Sequence, residues 1–484
     1  AANPDISATE KPMELAFINS IMRSPSFPPN DPWLSGYSIS YYYFGYVLVA
    51  MMAQLSGVVS AIGYNLAGSS WFAMVSIGSF GILYNLLTAS EIGSRKSRKF
   101  WSFLAPMLVL IAGNFFIIFQ MFYASGVGMS AGQDGVVQSS FWNWFNHRAL
   151  PVPKVIPEGW KPGYPGWDWW PASRTLTDTG LSGNQIEIID EFPMFSAILM
   201  DLHPHVLNLP FVLIAISICL NLILTKRGAF LRQTRSSRWY LDPLYWLTAL
   251  TLGSLAFMNT WDFPIYLGML GLVVLWRESI PNLGWDAIWK MIQVGFAVGI
   301  GSFLLYLPFF LGFSTGAGGI LPSLNYITRG VYFWTHFGLF LIPLIGLLIV
   351  LNSGKGSLTR FARGLALTVL VFLILFVIMT LVGMLFVIAS QALSAGGSAS
   401  GFMTRVAEGL GGYFGSQGLS DFLTRGMERE FVFAILGRRL TEPGTWITLI
   451  LMGSLAIAAW QRMQKQPIND KGEVELTQQN KSHG

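Results

Sequence analysis

The sequence predicts an all-α, polytopic membrane protein, and three observations carry that prediction. Hydrophobic residues make up 52% of the 484 and charged residues only 11%, less than half the charged fraction of an ordinary soluble domain. Mean hydropathy is +0.51. Apolar runs long enough to cross a bilayer recur from residue 69 to residue 460, without the alternation of barrel strands. This composition excludes soluble enzyme folds, disordered chains and nucleic-acid binders. Cys219 is the single cysteine, which excludes an intramolecular disulfide, a CxxC pair and a thiolate zinc cage.

Nine spans are predicted, near 69–90, 101–123, 205–225, 243–259, 262–276, 288–312, 337–352, 364–392 and 445–460. The segments 91–100, 226–242, 277–290, 353–363 and 461–484 hold 18 of the 30 Lys and Arg, so these are the expected cytoplasmic loops. Alternation of nine spans then places the N-terminus outside and the C-terminus inside. A tenth apolar stretch, 38–62, would invert every later loop if it crossed. It is therefore read as a re-entrant or interfacial helix of the outer leaflet, with Tyr37 and Tyr41 to Tyr43 at headgroup level. The expected organisation is a first outer segment (1–68), a transmembrane domain (69–460) with large outer loops at 124–204 and 393–444, and a cytoplasmic tail (461–484). Eighteen of the 25 acidic residues fall on the outer side and none interrupts the middle of a span, which leaves a proton relay or ion path little to build on.

The outer segments carry the candidate chemistry. The 124–190 loop holds Trp142, Trp144, Trp160, Trp167, Trp169 and Trp170 with Tyr164. They are either flat faces for sugar rings or lipid chains, or an aromatic belt that anchors a lid. At 190–205 the chain runs from Asp190-Glu191 to Asp201-Leu-His203-Pro204-His205. Pro204 is expected to break helical hydrogen bonding, so that Asp201 and His203 face a cavity. A carboxylate and an imidazole there suit a divalent metal, a phosphate or general-base work, against the plainer role of a helix cap. An ideal helix would set His203 and His205 about 200° apart, against a zinc or haem pair. Asp262, followed by Pro264, reads as a helix start. Carboxylates also flank prolines at Glu10-Lys11-Pro12-Met13-Glu14 and at Asp31. Arg405, Arg425, Arg429, Arg438 and Arg439 lie outside, either to receive a lipid phosphate or to pair with Glu408, Asp421, Glu428, Glu430 and Glu442.

The string from Pro28 to Tyr46, with Tyr41, Tyr42, Tyr43, Phe44 and Gly45, resembles the signature of the YYY membrane-protein family of Chloroflexi and archaea. Thr9 to Glu14, Glu191 to His205 and Asn259 to Pro264 resemble further strings of that family, and the likeness covers about residues 3–276. The family is regarded as related to the GT-C class of membrane glycosyltransferases. The resemblance implies a GT-C-like fold in a prokaryotic cell membrane, a sugar donor on a polyprenyl phosphate and an extracytoplasmic acceptor. It implies a catalytic carboxylate in the first outer loop, where Glu10 and Glu14 stand. The leading reading expects Glu10 or Asp201 as catalytic base, with Glu14, Asp31, Tyr42, Tyr43, His203, His205 and Asp262 around the substrate. A bound Mg²⁺ or Mn²⁺ suits such oxygen ligands, although no spacing demands one. GT-C enzymes open with a membrane span, whereas this chain begins within the first outer loop. The expectation is that the span was removed or is supplied by a separate polypeptide. The partners expected are a lipid-linked sugar and membrane lipids, and the competing readings are a non-catalytic subunit of a larger membrane complex and a lipid or lipid-sugar transporter.

Overall fold

The computed structural model describes residues 4–7, 9–157, 159, 169–179, 185–224, 239–279, 283–313, 327–394 and 428–464. Trp160, Tyr164, Trp167, Arg405, Glu408, Asp421, Arg425 and the segments 226–238 and 465–484 lie outside the described residues, as do the side chains of Trp169, Glu428, Arg429 and Glu430. In chain order the helices are α1 (Lys11–Arg23), α2 (Phe44–Ser56), α3 (Ser60–Ala89), α4 (Arg95–Ser102), α5 (Leu104–Leu110), α6 (Phe116–Ala124), α7 (Ser140–Phe145), α8 (Trp169–Ala172), α9 (Pro193–Leu199), α10 (Pro204–Leu224), α11 (Pro243–Met258), α12 (Asp262–Glu278), α13 (Trp285–Leu305), α14 (Leu307–Gly312), α15 (Gly330–Asn352), α16 (Ser357–Ser394), α17 (Glu428–Thr441) and α18 (Gly444–Gln464). The described residues also include a 3-10 turn at Trp239–Leu241 and two antiparallel two-stranded pairs: β1 (Ser130–Ala131) with β2 (Val137–Gln138), and β3 (Thr177–Thr179) with β4 (Gln185–Glu187).

Six described helices are long and apolar enough to cross a membrane: Ser60–Ala89, Pro204–Leu224, Trp285–Leu305, Gly330–Asn352, Ser357–Val382 and Gly444–Met463. The fold is a polytopic helical membrane protein. The predicted runs at 243–259 and 262–276 form α11 and α12, of 16 and 17 residues, short of the roughly 20 that a straight span takes.

The run 101–123 departs from the single span expected of it. It breaks between Leu110 and Phe116, because the Asn114 side chain accepts from the Phe116 N–H (3.1 Å) and starts a new helix. The Phe115 N–H donates to Thr335 O at 2.8 Å instead of to its own helix. Within 38–62 a separate helix does form, with an earlier end than expected. α2 ends at Gly57, in the left-handed region (φ +67°), and the long helix α3 starts at Ser60 and not at 69. Thirteen residues of α2 rise about 20 Å, less than the hydrocarbon thickness of about 30 Å.

The chain divides into two compact units. Among the described residues, unit 1 comprises those within 4–112 and 193–313. Its membrane core joins α10 to α13 through Val212, Cys219, Leu252, Val274 and Val298. A second core packs Phe17 and Ile18 of α1 with Tyr43, Tyr46, Tyr64, Leu202 and Phe309. Unit 2 comprises 113–192 and 316–465. There α15 and α18 run parallel, since Gly330 meets Gly444 at their first residues and Arg462 donates to Leu351 O (2.9 Å) at their far ends. A Cβ on Gly330 would lie 2.6 Å from the Gly444 Cα, so only glycine permits this approach. α16 packs against α18 where Gly364 meets the Ser454 backbone and Gly453 meets the Thr368 side chain.

Candidate functional site

The expected strand of candidates at 201–205 forms a turn between α9 and α10. Met200 takes φ +52°, and α10 opens at Pro204, whose missing N–H suits a first helical position. The backbone N–H groups of Val206 and Leu207 donate to His203 O, at 2.9 and 3.0 Å. His203 thus stands outside the helix, and the expected separation of about 200° from His205 does not apply. Their rings meet, with His203 Nδ1 and His205 Nδ1 2.6 Å apart. His203 Nε2 lies 3.1 Å from Glu10 Oε2, and His205 Nε2 lies 3.5 Å from Ser196 Oγ.

Glu10 occupies the N-cap position of α1 without a side-chain cap hydrogen bond, and Glu14 sits one turn later, where four-residue spacing puts both on one face. Glu14 is fully buried. Its Oε2 accepts from the Tyr64 hydroxyl and from the Leu202 N–H (2.8 Å), and the same N–H lies 3.2 Å from the Tyr64 oxygen. A carboxylate from α1 therefore holds the peptide between Asp201 and His203. Burial pushes the Glu14 carboxyl up to about 7, and the neighbouring Asp201 charge adds to it, against the lowering effect of the Tyr64 and Leu202 hydrogen bonds. Asp201 is buried beside it. Burial first, and then the charges of Glu10 and Glu14, hold the Tyr41 hydroxyl protonated well above its ordinary range. Lys11 is buried next to the acids, with Nζ 3.2 Å from Asp5 O.

Glu10, Glu14, Asp201, His203 and His205 are thus brought together within unit 1. Tyr64 and Tyr41 join them, and sequence reasoning missed both as members of the site; the signal available for Tyr41 was its place in the tyrosine triplet. Asp31 goes elsewhere. Its Oδ1 accepts from the Trp33 and Leu34 N–H groups, both at 2.8 Å, and organises a local turn. Tyr43 is buried edge-on to Phe257, with ring centroids 4.7 Å apart, and Tyr42 stands against Phe313 at 5.2 Å. Asp262 begins α12 without capping it by its side chain. Instead, its Oδ2 accepts from Asn208 Nδ2 (2.5 Å) on α10 and from Asn259 Nδ2 (3.0 Å). Among the described residues, no group of three or more His, Cys, Asp or Glu is arranged to hold a metal ion.

An apolar groove of about 410 Å³ runs between α2, α3 and α10, lined in part by Gly45, Val49, Ala67, Trp71, Leu207 and Met258. Ala67 lies about one turn along α3 from Tyr64, and Leu207 one turn along α10 from His203. Groove and cluster therefore share two helices.

Unit 2 has a polar cluster of its own. His336 Nδ1 of α15 lies 2.9 Å from Asp190 Oδ2 and 3.3 Å from Asn114 Nδ2. Asn114 also donates to Ala172 O (2.7 Å), and the Leu176 N–H donates to Asp190 Oδ2 (3.3 Å). Burial raises the Asp190 carboxyl, and the His336 contact works against that rise. Nearby in sequence, His147 is buried with Nε2 3.1 Å from Arg174 O, while its Nδ1 accepts from the Ala149 N–H (3.2 Å). Burial pushes this imidazole down to about 4.

No curated protein and no solved structure matches the chain. A family profile does match it, over residues 1–463, which includes the C-terminal third that the sequence motifs left uncovered. Because that match spans nearly the whole chain, the chain belongs to the family described as uncharacterized membrane protein (DUF2298).

Proposed function

We propose that the protein is a GT-C-like glycosyltransferase that moves a sugar from a polyprenyl phosphate to an extracytoplasmic acceptor. One observation carries the reading: the half-exposed Glu10–His203 contact forms the reachable edge of a cluster that shares α3 and α10 with an apolar groove. In that arrangement the polyprenyl chain lies among the groove's apolar side chains. Glu10 takes the proton of the acceptor hydroxyl as its oxygen attacks the anomeric carbon. The bond from that carbon to the phosphate oxygen breaks, and its electron pair leaves with the polyprenyl phosphate. The His203–His205 pair, or an outer arginine, stabilises the leaving phosphate, where negative charge grows. This single displacement inverts the anomeric centre. Glu14, fully buried, acts through Leu202 as a positioning residue for the 201–203 turn. The orientation that the loop charges favour, with the N-terminus outside and the C-terminus in the cytoplasm of a prokaryotic cell, puts this cluster on the outer face.

The test is transfer from labelled polyprenyl-phosphate sugars in membranes containing the full chain. Glu10→Gln is expected to lower transfer at least about 100-fold with thermal unfolding unchanged, and Asp201→Asn to lower it as well. Transfer unaffected by Glu10→Gln, or no transfer above background from any donor offered, sinks the reading and leaves a non-catalytic subunit of a membrane complex as the alternative.

A further inference from the structure

The tryptophan-rich segment divides into different roles. Trp142 is buried and its Nε1 donates to Val127 O at 2.8 Å, so it belongs to the core. Trp170 has the Arg174 guanidinium over its ring, 3.8 Å from the centroid. Trp144 is 55% exposed and lines a cavity of about 540 Å³ in unit 2, with Phe115, Trp334, Arg329, Thr441 and Glu442. That volume is within the usual range for a small-molecule site.

The charges decide what fits. Arg329 and Glu442 are the two charged groups among the described lining residues, and they pair through Nε and Oε1 at 3.3 Å. The two terminal guanidinium nitrogens are engaged as well. Nη1 donates to Phe145 O (2.9 Å) and to the Tyr332 hydroxyl (3.3 Å), and Nη2 donates to Trp144 O (2.7 Å). A phosphate arriving here would find both terminal nitrogens of the fork already donating to protein oxygens and a carboxylate beside them. A cation would meet the guanidinium. A neutral ligand meets neither penalty. The walls offer aromatic faces, and the floor offers carboxylate and hydroxyl oxygens; Thr441 Oγ1 donates to Arg438 O (2.9 Å) and so keeps its oxygen as an acceptor. An alkyl chain would leave those polar groups unmatched.

We propose that this cavity binds a neutral saccharide, with one ring face against Trp144 and its hydroxyls donating to Glu442 and Thr441. A pyranose has both surfaces required, an apolar C–H face and a rim of donors. The proposal concerns binding alone, in unit 2, and stands whether or not the unit 1 cluster transfers sugar.

The experiment uses the full chain in phosphatidylcholine nanodiscs, because alkyl-glycoside detergents carry the proposed ligand as their headgroup. Saturation-transfer NMR is recorded with methyl α-mannoside, methyl α-glucoside and N-acetylglucosamine, and with hexanol as an alkyl probe. Saturation of sugar ring protons is expected for at least one saccharide, at least about tenfold weaker in binding for Trp144→Ala and for Glu442→Gln. Trp285→Ala, an exposed tryptophan of unit 1, is expected to leave it unchanged. Saturation of no saccharide, or saturation indifferent to both cavity substitutions, overturns the proposal. Saturation of hexanol alone, lost in Trp144→Ala, also overturns it and assigns the cavity to an alkyl chain.

Discussion

Each unit contains a carboxylate–imidazole contact of about the same length, and the two differ in what surrounds them. Glu10 and His203 of unit 1 touch at 3.1 Å with side chains 48% and 29% exposed. Asp190 and His336 of unit 2 touch at 2.9 Å with side chains 5% and 9% exposed. The first pair stands at a helix start and at a turn broken by Pro204, where a substrate can reach it. The second is enclosed by Asn114 and Leu176 and joins the chain break before α6 to α15 and the segment after β4. Identical functional groups thus stand half-exposed in one place and enclosed in the other. The deciding quantity is access, since the enclosed pair is shut off from solvent even though Asp190 Oδ1 makes no hydrogen bond among the described residues.

The comparison can be broken most forcefully at Asp190. Asp190→Ala takes the acceptor from both His336 Nδ1 and the Leu176 N–H, and is expected to destabilise unit 2 by about 3–5 kcal/mol, read as a large fall in thermal unfolding temperature. Glu10→Gln, at the exposed pair, is expected to leave that temperature nearly unchanged. An equal fall for both substitutions would erase the distinction.

The units should also respond to pH in opposite senses. Glu14 is raised from 4.5 to about 7, so its contribution to stability is fully present below about pH 4.5 and is lost as pH rises through about 7. His147 is lowered from 6.5 to about 4, so the stability of the neutral form is present above about pH 6.5 and is lost as pH falls toward 4. Each effect is on the order of 3 kcal/mol. In unfolding scans between pH 4 and 8, Glu14→Gln should gain on the wild type as pH rises, whereas His147→Gln should gain as pH falls. Parallel profiles would mean that the two groups do not sit in the environments described. The smallest effect is expected at Asp31. Asp31→Ala removes one side-chain acceptor from an exposed turn and should cost about 1 kcal/mol, with sugar transfer within twofold of wild type; a large loss of transfer would restore Asp31 to the site.

Much of the architecture was legible because hydropathy is a local sum. Six of the nine apolar runs correspond to helices long enough to cross, and Pro204 marked the start of α10. The break in 101–123 was not legible, since its cause is Asn114, whose side chain reaches His336 across 222 positions of chain. The acids divided in the same way. Glu10 and Glu14 share a face by helical spacing, and His203 with His205 by proximity to Pro204. Nothing local distinguishes Asp31, which serves its own turn, from Asp201, which joins the cluster.

By itself, then, the sequence determined that the protein is a polytopic helical membrane protein with its chemistry-bearing residues gathered at the span boundaries, because burial in lipid is a property of each segment's own side chains. Only the tertiary structure decided which of those residues meet. Glu14 reaches Leu202 across 188 residues of chain and Tyr64 across 50, and such contacts depend on how helices pack, which no window of sequence contains.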